Sequence, residues 1–171
     1  IFSCEDQSML KINNATKSFA GIVAVDNCSF AIKQGTISAL IGPNGAGKTT
    51  LFNCISRIYP IDSGQIFYKN HRLDLMPAHK IARLGIGRSF QITRTLDQLS
   101  VTENLVLHTA GGIGSHLFHP DITTENRLQA CEVMEFLGIS TLADVDMGEL
   151  SYGQKKLLDL GAVLMADPDL I

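Results

Sequence analysis

Residues 36–50 read Thr36-Ile37-Ser38-Ala39-Leu40-Ile41-Gly42-Pro43-Asn44-Gly45-Ala46-Gly47-Lys48-Thr49-Thr50. The first six are short, largely apolar and partly β-branched, which predicts a strand; Lys48 to Ser56 carries apolar residues at Leu51, Phe52 and Ile55, which predicts a helix. Between them lies G-x-x-x-x-G-K-[ST], in the strand-to-helix setting that gives this motif its meaning. The loop of Gly42, Pro43, Asn44, Gly45, Ala46 and Gly47 can line a concave nest for the β-phosphate with its backbone amides. The glycines allow turns and close approaches that a Cβ would obstruct. The helix start adds unsatisfied N–H groups and a positive end. Lys48 would reach the β- and γ-phosphates, which makes it a catalytic candidate as well as a binding one. Thr49 would place its hydroxyl on Mg²⁺, and Thr50 would support the α-phosphate side.

Working outward, Met9–Phe19 and Val23–Ile32 alternate loosely between apolar and polar residues, with Gly21 and Gly35 as punctuation. They predict antiparallel strands at one edge of a domain. Ser63–Asn70 predicts a further strand and turn, Pro77 the first turn of a helix through Arg83 that ends near Gly85, and Ile86–Phe90 another strand. From Gln91 to about Gly148 the chain becomes mainly helical. Ser100-Val101-Thr102-Glu103 has capping-box spacing ahead of Leu105, Val106 and Leu107, with Gly111–Gly114 as the expected stop. Asp121-Ile122-Thr123-Thr124 supplies caps for a second helix, with Leu128, Cys131, Met134 and Leu137 as its expected buried stripe before Gly138. Ser151-Tyr152-Gly153-Gln154 is again S-x-x-Q, and the apolar run behind it reaches Asp167-Pro168. Leu160–Asp167 could pass for an apolar strand ending in an acid, but the upstream capping box, Gly161 and Pro168 favour a helix and its stop.

The 171 residues include 45% apolar residues and 14 basic against 17 acidic groups, a net charge of -3. That balance argues against a chain held on nucleic acid by bulk positive charge. No uninterrupted apolar run approaches the roughly 18 residues needed to cross a bilayer, and the opening residues lack a basic region followed by an apolar run. Cys4, Cys28, Cys54 and Cys131 stand far apart, which predicts reduced, buried thiols rather than a metal knuckle or redox pair. His116 and His119 lack the accompanying ligands that a metal site needs.

With the phosphate loop, Gln91 after Arg88-Ser89-Phe90, and Leu150-Ser151-Tyr152-Gly153-Gln154 similar to an L-S-G-G-Q signature, the chain resembles the ATP-binding subunits of ABC transporters. Pro77–Gln91 and the tyrosine variant of the signature resemble the branched-chain amino acid uptake branch. The resemblance implies an α/β fold: a P-loop NTPase core with an antiparallel β subdomain and an inserted helical subdomain at about 91–148. It implies ATP and Mg²⁺ as ligands. It places Gln91 near Mg²⁺ and the attacking water, as both a metal-ligand and a catalytic candidate, and Phe19 against adenine, although a phenylalanine closing a strand reads on spacing alone as a core residue. Ser151, Gly153 and Gln154 would face the nucleotide of a second subunit, Ser151 also serving as a helix cap.

The implied partners are a second ABC ATPase subunit in a homo- or heterodimer, transmembrane permease subunits and, indirectly, a periplasmic or extracellular solute-binding protein, with no nucleic acid. The implied location is peripheral, at the cytoplasmic face of the cell membrane. The expected function is to bind ATP and, in a full-length parent, to hydrolyse it and power import of branched-chain amino acids. The alternatives are an ATPase for urea or another small solute, or a nontransport ABC ATPase coupling dimerisation to another partner. The family's metal-organising aspartate, catalytic glutamate and later histidine would follow the segment resembled by Asp167–Ile171, so 1–171 reads as an incomplete ATP-binding domain. Neither Asp167 nor Asp169 is assigned to catalysis.

Overall fold

Two long strands, β1 (Ser8–Phe19) and β2 (Ile22–Lys33), pair antiparallel through a two-residue turn at Ala20 and Gly21. Both turn residues are left-handed, with φ of 45° and 86°, the backbone whose twist matches that of paired strands. The computed structural model describes residues 8–89, 96–109 and 123–171. They belong to two units, Ile1–Leu84 and Gly85–Ile171.

In the first unit β3 (Ser63–Tyr68) lies on the other side of β1 and β4 (His71–Arg72) closes the edge, giving the order β2-β1-β3-β4 with every pair antiparallel. β1 buries Leu10 and Ile12, then changes parity and buries Ala15 and Lys17. The register explains the change. From Ile12↔Phe30 to Ala15↔Cys28, β1 advances one residue more than β2, so a bulge turns its side chains over. Asn14 takes the left-handed backbone at this point, with φ 51°. Its amide donates to Ser29 Oγ at 2.7 Å and its Nδ2 to Asn27 Oδ1 at 2.7 Å. Gly64 on β3 faces the same spot with φ +93°, and a Cβ there would lie 2.3 Å from the Asn14 carbonyl oxygen.

Beneath the sheet's apolar residues, α1 (Lys48–Ile55) buries Leu51, Cys54 and Ile55 and touches β2 and a single 3-10 turn at Leu73–Leu75. Ile66, Tyr68, Leu73 and Ile81 are buried as well, the last on α2 (Ala78–Ala82), whose N-cap is Pro77. Asp74 ties the turn to the sheet: Oδ1 accepts the Ile66 amide at 3.0 Å and Oδ2 the Arg72 guanidinium at 3.0 Å. Burial pushes this carboxyl up, but the Ile66 amide and Arg72 outweigh it and hold it below its ordinary value.

The second unit packs three helices, α3 (Val101–Val106), α4 (Thr124–Phe136) and α5 (Tyr152–Leu164), around Val101, Leu105, Ala130, Met134, Met147, Leu158 and their neighbours. Gly161 on α5 permits the approach, since a Cβ there would meet Leu105 at 3.0 Å and Leu137 at 3.1 Å. Asn104, buried on α3, accepts the Leu96 amide and donates to the carbonyls of Leu96, Leu99 and Ser100, each at 3.1 Å. The unit's first and last residues meet as well: Ile86 bridges Leu170 in parallel, with Gly87 N–H donating to Leu170 O at 2.7 Å.

Several expectations are corrected. Thr36–Ile41 is not a strand, because among the described residues no ladder pairs with it and Ile37 and Ile41 are 103% and 90% exposed; extended backbone without a partner is not a sheet. Phe52 is 51% exposed and Cys54 takes the buried place on α1. On α4 the buried face is Ala130 and Met134 with Val133 and Leu137 packed beside them, while Leu128 and Cys131 are exposed. Steps of three alone drift around a helix by about 60° each; the i, i+3, i+4, i+7 pattern stays on one face. The parallel bridge of the expected Ile86–Phe90 strand forms at Ile86, and Phe90 lies outside the described residues. Of the thiols, Cys54 is buried, Cys28 half-buried and Cys131 exposed, all three free; Cys4 lies outside the described residues, as do His116, His119 and Gly111–Gly114. The Ser100 and Ser151 capping boxes, the Thr123 cap and the helix across Leu160–Leu164 are as expected.

Gly64→Ala should cost about 1–3 kcal/mol from backbone strain alone, with the clash against Asn14 adding to it, read as a lowered urea midpoint. Asp74→Ala should cost about 1–3 kcal/mol at neutral pH by leaving the Ile66 amide without its acceptor. Because the folded carboxyl lies below its unfolded value of 3.8, its charge-dependent stabilisation is full above that value and lost as pH falls through the folded one. Urea titrations from pH 7 down to pH 2.5 should therefore show the gap between wild type and Asp74→Ala narrowing.

Candidate functional site

The loop from Gly42 to Gly47 closes on itself and against β2. Ala46 N–H donates to Pro43 O at 3.2 Å, and a Cβ on Gly42 would touch the Ala46 Cβ at 3.2 Å. Gly45 and Gly47 take φ of 84° and 80°. A Cβ at Gly47 would fall 2.0 Å from the Ala24 carbonyl oxygen on β2, so glycine alone fits there. Gly47 is also the N-cap of α1; it has no side chain to cap with, and no acid stands in the first turn. The first amides of α1 are therefore without a side-chain cap at the positive end of the helix, an arrangement suited to holding an anion.

Lys48 folds back over the loop. Its Nζ donates to Gly42 O and Pro43 O, both at 2.6 Å. The ammonium is thus held at the loop mouth by two carbonyl dipoles, partners that a phosphate oxygen can replace with a full charge. Thr49 is exposed, and no partner engages its hydroxyl among the described residues, so it fits the role of a metal ligand beside a bound phosphate. Thr50 is half-buried one residue further along the first turn.

Phe19 closes β1 and is 39% exposed, so it is not a core residue. Its ring meets Tyr59 edge to face, with centroids 5.1 Å apart and planes at 76°. Lys17 Nζ stands over the Phe19 ring, 5.3 Å from its centroid. The same ammonium donates to Asp62 Oδ1 at 2.6 Å, and Asp62 Oδ2 accepts the Ser18 amide at 2.6 Å. The Lys17 hydrogen bond, seconded by the Ser18 amide, holds the Asp62 carboxyl below its ordinary range. Tyr59, Lys17 and Asp62 did not stand out in the sequence. Lys17 and Asp62 are 45 residues apart, a distance no local periodicity spans; the only local signal is a lysine two residues before Phe19 on the same strand.

In the second unit Ser151 caps α5 as the spacing predicts. Its Oγ accepts the Gln154 amide at 3.4 Å and donates to Gln154 Oε1 at 2.8 Å, and that same Oε1 accepts the Ser151 amide at 2.8 Å. Ser151, Tyr152 and Gly153 are all exposed, with open space where a Gly153 Cβ would be. The helix presents a positive end without an acid in its first turn. The structure thus gathers Gly42–Thr50 into one cradle and Ser151, Gly153 and Gln154 onto one exposed helix start; Gln91 lies outside the described residues.

Comparison with known proteins gives this arrangement a family. Residues 25–171 match the ABC transporter family. The chain is 36% identical over 169 residues to the probable branched-chain amino acid transport ATP-binding protein LivG of Archaeoglobus fulgidus, a match covering 95% of this chain and 65% of that protein. It is 31% identical over 173 residues to the high-affinity branched-chain amino acid transport ATP-binding protein LivG of Escherichia coli, covering 96% of this chain and 68% of that one. Among solved structures it resembles a nucleotide-free ATP-binding cassette from an ABC transporter, with TM-score 0.80, 32% identity and coverage of 94% and 66%. It likewise resembles the ADP conformation of the cassette MJ1267, with TM-score 0.82, 33% identity and the same coverage. The chain thus spans slightly less than two thirds of the Archaeoglobus relative. Both the match across residues 25–171 and the relatives above 30% identity agree: the chain belongs to the ABC transporter family and has the fold of its ATP-binding cassettes.

Proposed function

We propose that this chain is the ATP-binding part of an ATPase subunit that powers import of branched-chain amino acids, working at the cytoplasmic face of a membrane on transmembrane permease subunits. The observation that carries the nucleotide reading is the cradle Gly42–Thr50, with bare α1 amides behind it and the Lys48 ammonium held on Gly42 O and Pro43 O. The solute class rests on the names of the LivG relatives. No helix among the described residues is long and apolar enough to cross a membrane, which fits attachment through a permease.

On binding, Lys48 exchanges its two carbonyl partners for β- and γ-phosphate oxygens, and the amides of Asn44, Gly45 and Gly47 and the start of α1 hold the β-phosphate. Thr50 supports the α-phosphate side and Phe19 offers its exposed ring to adenine. Mg²⁺, held by the Thr49 hydroxyl, with Gln91 beside it, would neutralise charge on the phosphates as the terminal bond breaks. In a dimer, Ser151 turns its hydroxyl proton from Gln154 Oε1 toward the partner's γ-phosphate while still accepting the Gln154 amide. The Gly153 amide and the positive end of α5 favour the same anion, and Gln154 keeps the cap in place. Closure of that dimer would bias the permease, and a solute-binding protein would deliver the solute on the far side.

Lys48→Ala should weaken ATP binding by roughly tenfold to a hundredfold, the loss of one or two charge-assisted hydrogen bonds, measured by calorimetry on the full chain; unchanged affinity would remove the lysine from the site. Vesicles holding the full protein with its permeases and binding protein should take up leucine, isoleucine or valine only with ATP inside. Uptake of urea in place of these amino acids, or ATP-dependent dimerisation without any uptake, would overturn the solute assignment.

A further inference from the structure

The Phe19 corner is more fully built than a ring closing a strand requires. Asp62 grips the end of β1 at three consecutive residues: its amide donates to Thr16 O at 2.8 Å, its Oδ1 accepts Lys17 Nζ at 2.6 Å, and its Oδ2 accepts the Ser18 amide at 2.6 Å. The next residue is Phe19. Lys17 is 9% exposed, and that burial together with the Asp62 carboxylate fixes its ammonium over one face of the Phe19 ring. Tyr59, three residues before Asp62, is anchored by its amide to Asn53 O of α1 at 3.2 Å and lies against Phe19 at right angles. Despite this anchoring both rings stay open to solvent, at 39% and 38% exposed. A buried cation, a neutralising carboxylate and a second ring converge on an aromatic surface that remains uncovered.

We propose that Lys17, Asp62 and Tyr59 are positioning residues of a nucleobase-binding corner, in which the Lys17 ammonium occupies one face of Phe19, leaving the other to stack on a purine flanked by Tyr59. This rests on the reading of Phe19 as the base-contacting residue. The ammonium draws π density toward itself, which leaves the opposite face better suited to an electron-rich ring than to another cation. Asp62 keeps the ammonium in place and neutralises it, so the corner presents no net charge to an uncharged base. Tyr59 links the corner to α1, the helix that begins at the phosphate loop, so base and phosphate ends of one ligand are held by one rigid element.

Two ligands separate positioning from general damage: ATP, and inorganic tripolyphosphate, which carries the phosphates without the base. In calorimetry on the full chain, Tyr59→Ala and Lys17→Met should each weaken ATP about fivefold and leave tripolyphosphate within about twofold of wild type. Lys17→Arg, which keeps a cation over the ring, should restore most of the ATP affinity. Equal loss of both ligands in Tyr59→Ala, a solvent-facing change, would overturn the proposal, as would unchanged ATP affinity in Tyr59→Ala and Lys17→Met. Phe19→Ala distinguishes the two levels: if it weakens ATP while the other variants do not, the positioning roles fail and the base contact stands. If Phe19→Ala leaves ATP binding untouched, both fail.

Discussion

The carbonyl oxygen of Ala24 sits 2.0 Å from where any side chain on Gly47 would place its first carbon. That single exclusion locks several features together. A residue without a Cβ can press against β2, take the left-handed bend at φ 80°, and pass its own carbonyl to Leu51 N–H at 2.9 Å to launch α1. Because it has no side chain, it leaves the start of α1 uncapped. The helices of the second unit answer the same end effect differently, with Ser100, Thr123 and Ser151 each accepting an amide of its own first turn. At α1 no side chain caps the first turn, and the Lys48 ammonium rests on the carbonyls of Gly42 and Pro43.

The features legible in the sequence were those whose physics is local. A capping box needs a hydroxyl and a side-chain acceptor three residues apart, so Ser100–Glu103 and Ser151–Gln154 were readable without knowing what packs on them. The phosphate loop was readable because its left-handed bends fall on Gly45 and Gly47 and its lysine follows them directly in the chain. The β1–β2 hairpin declared itself by alternation, although Asn14 inverts that alternation midway by inserting a residue into the ladder.

What the sequence concealed depends on partners distant in the chain. Ile37 and Ile41 have a strand's composition but no ladder among the described residues, since composition cannot supply a neighbour. On α4 the expected stripe of Leu128, Cys131, Met134 and Leu137 keeps only its second half, because the packing buries Ala130 and Met134 with Val133 and Leu137 beside them. Lys17 looked like one more polar residue of a half-buried strand. Its burial follows from the parity change at Asn14 and from a carboxylate that arrives with the turn before β3. Polar residues inside a fold gain their roles from what the fold brings to them, and this is also why Phe19 emerged as a half-open ring rather than a core residue.

The pairing of Gly85–Gly87 with Asp169–Leu170 bears on how the second unit reaches its native state. Its helical core already joins distant segments, since α3 packs against α5 as well as α4. The parallel bridge joins residues more than eighty positions apart, a closure whose entropy cost grows only slowly with length but must be met before any contact rewards it. Gly85 and Gly87 allow the close approach, since a Cβ on either would meet Asp169, Val163 or Pro168. The seam fastens the unit's beginning to its end, and a closure of that length costs only slightly more entropy than a loop half as long.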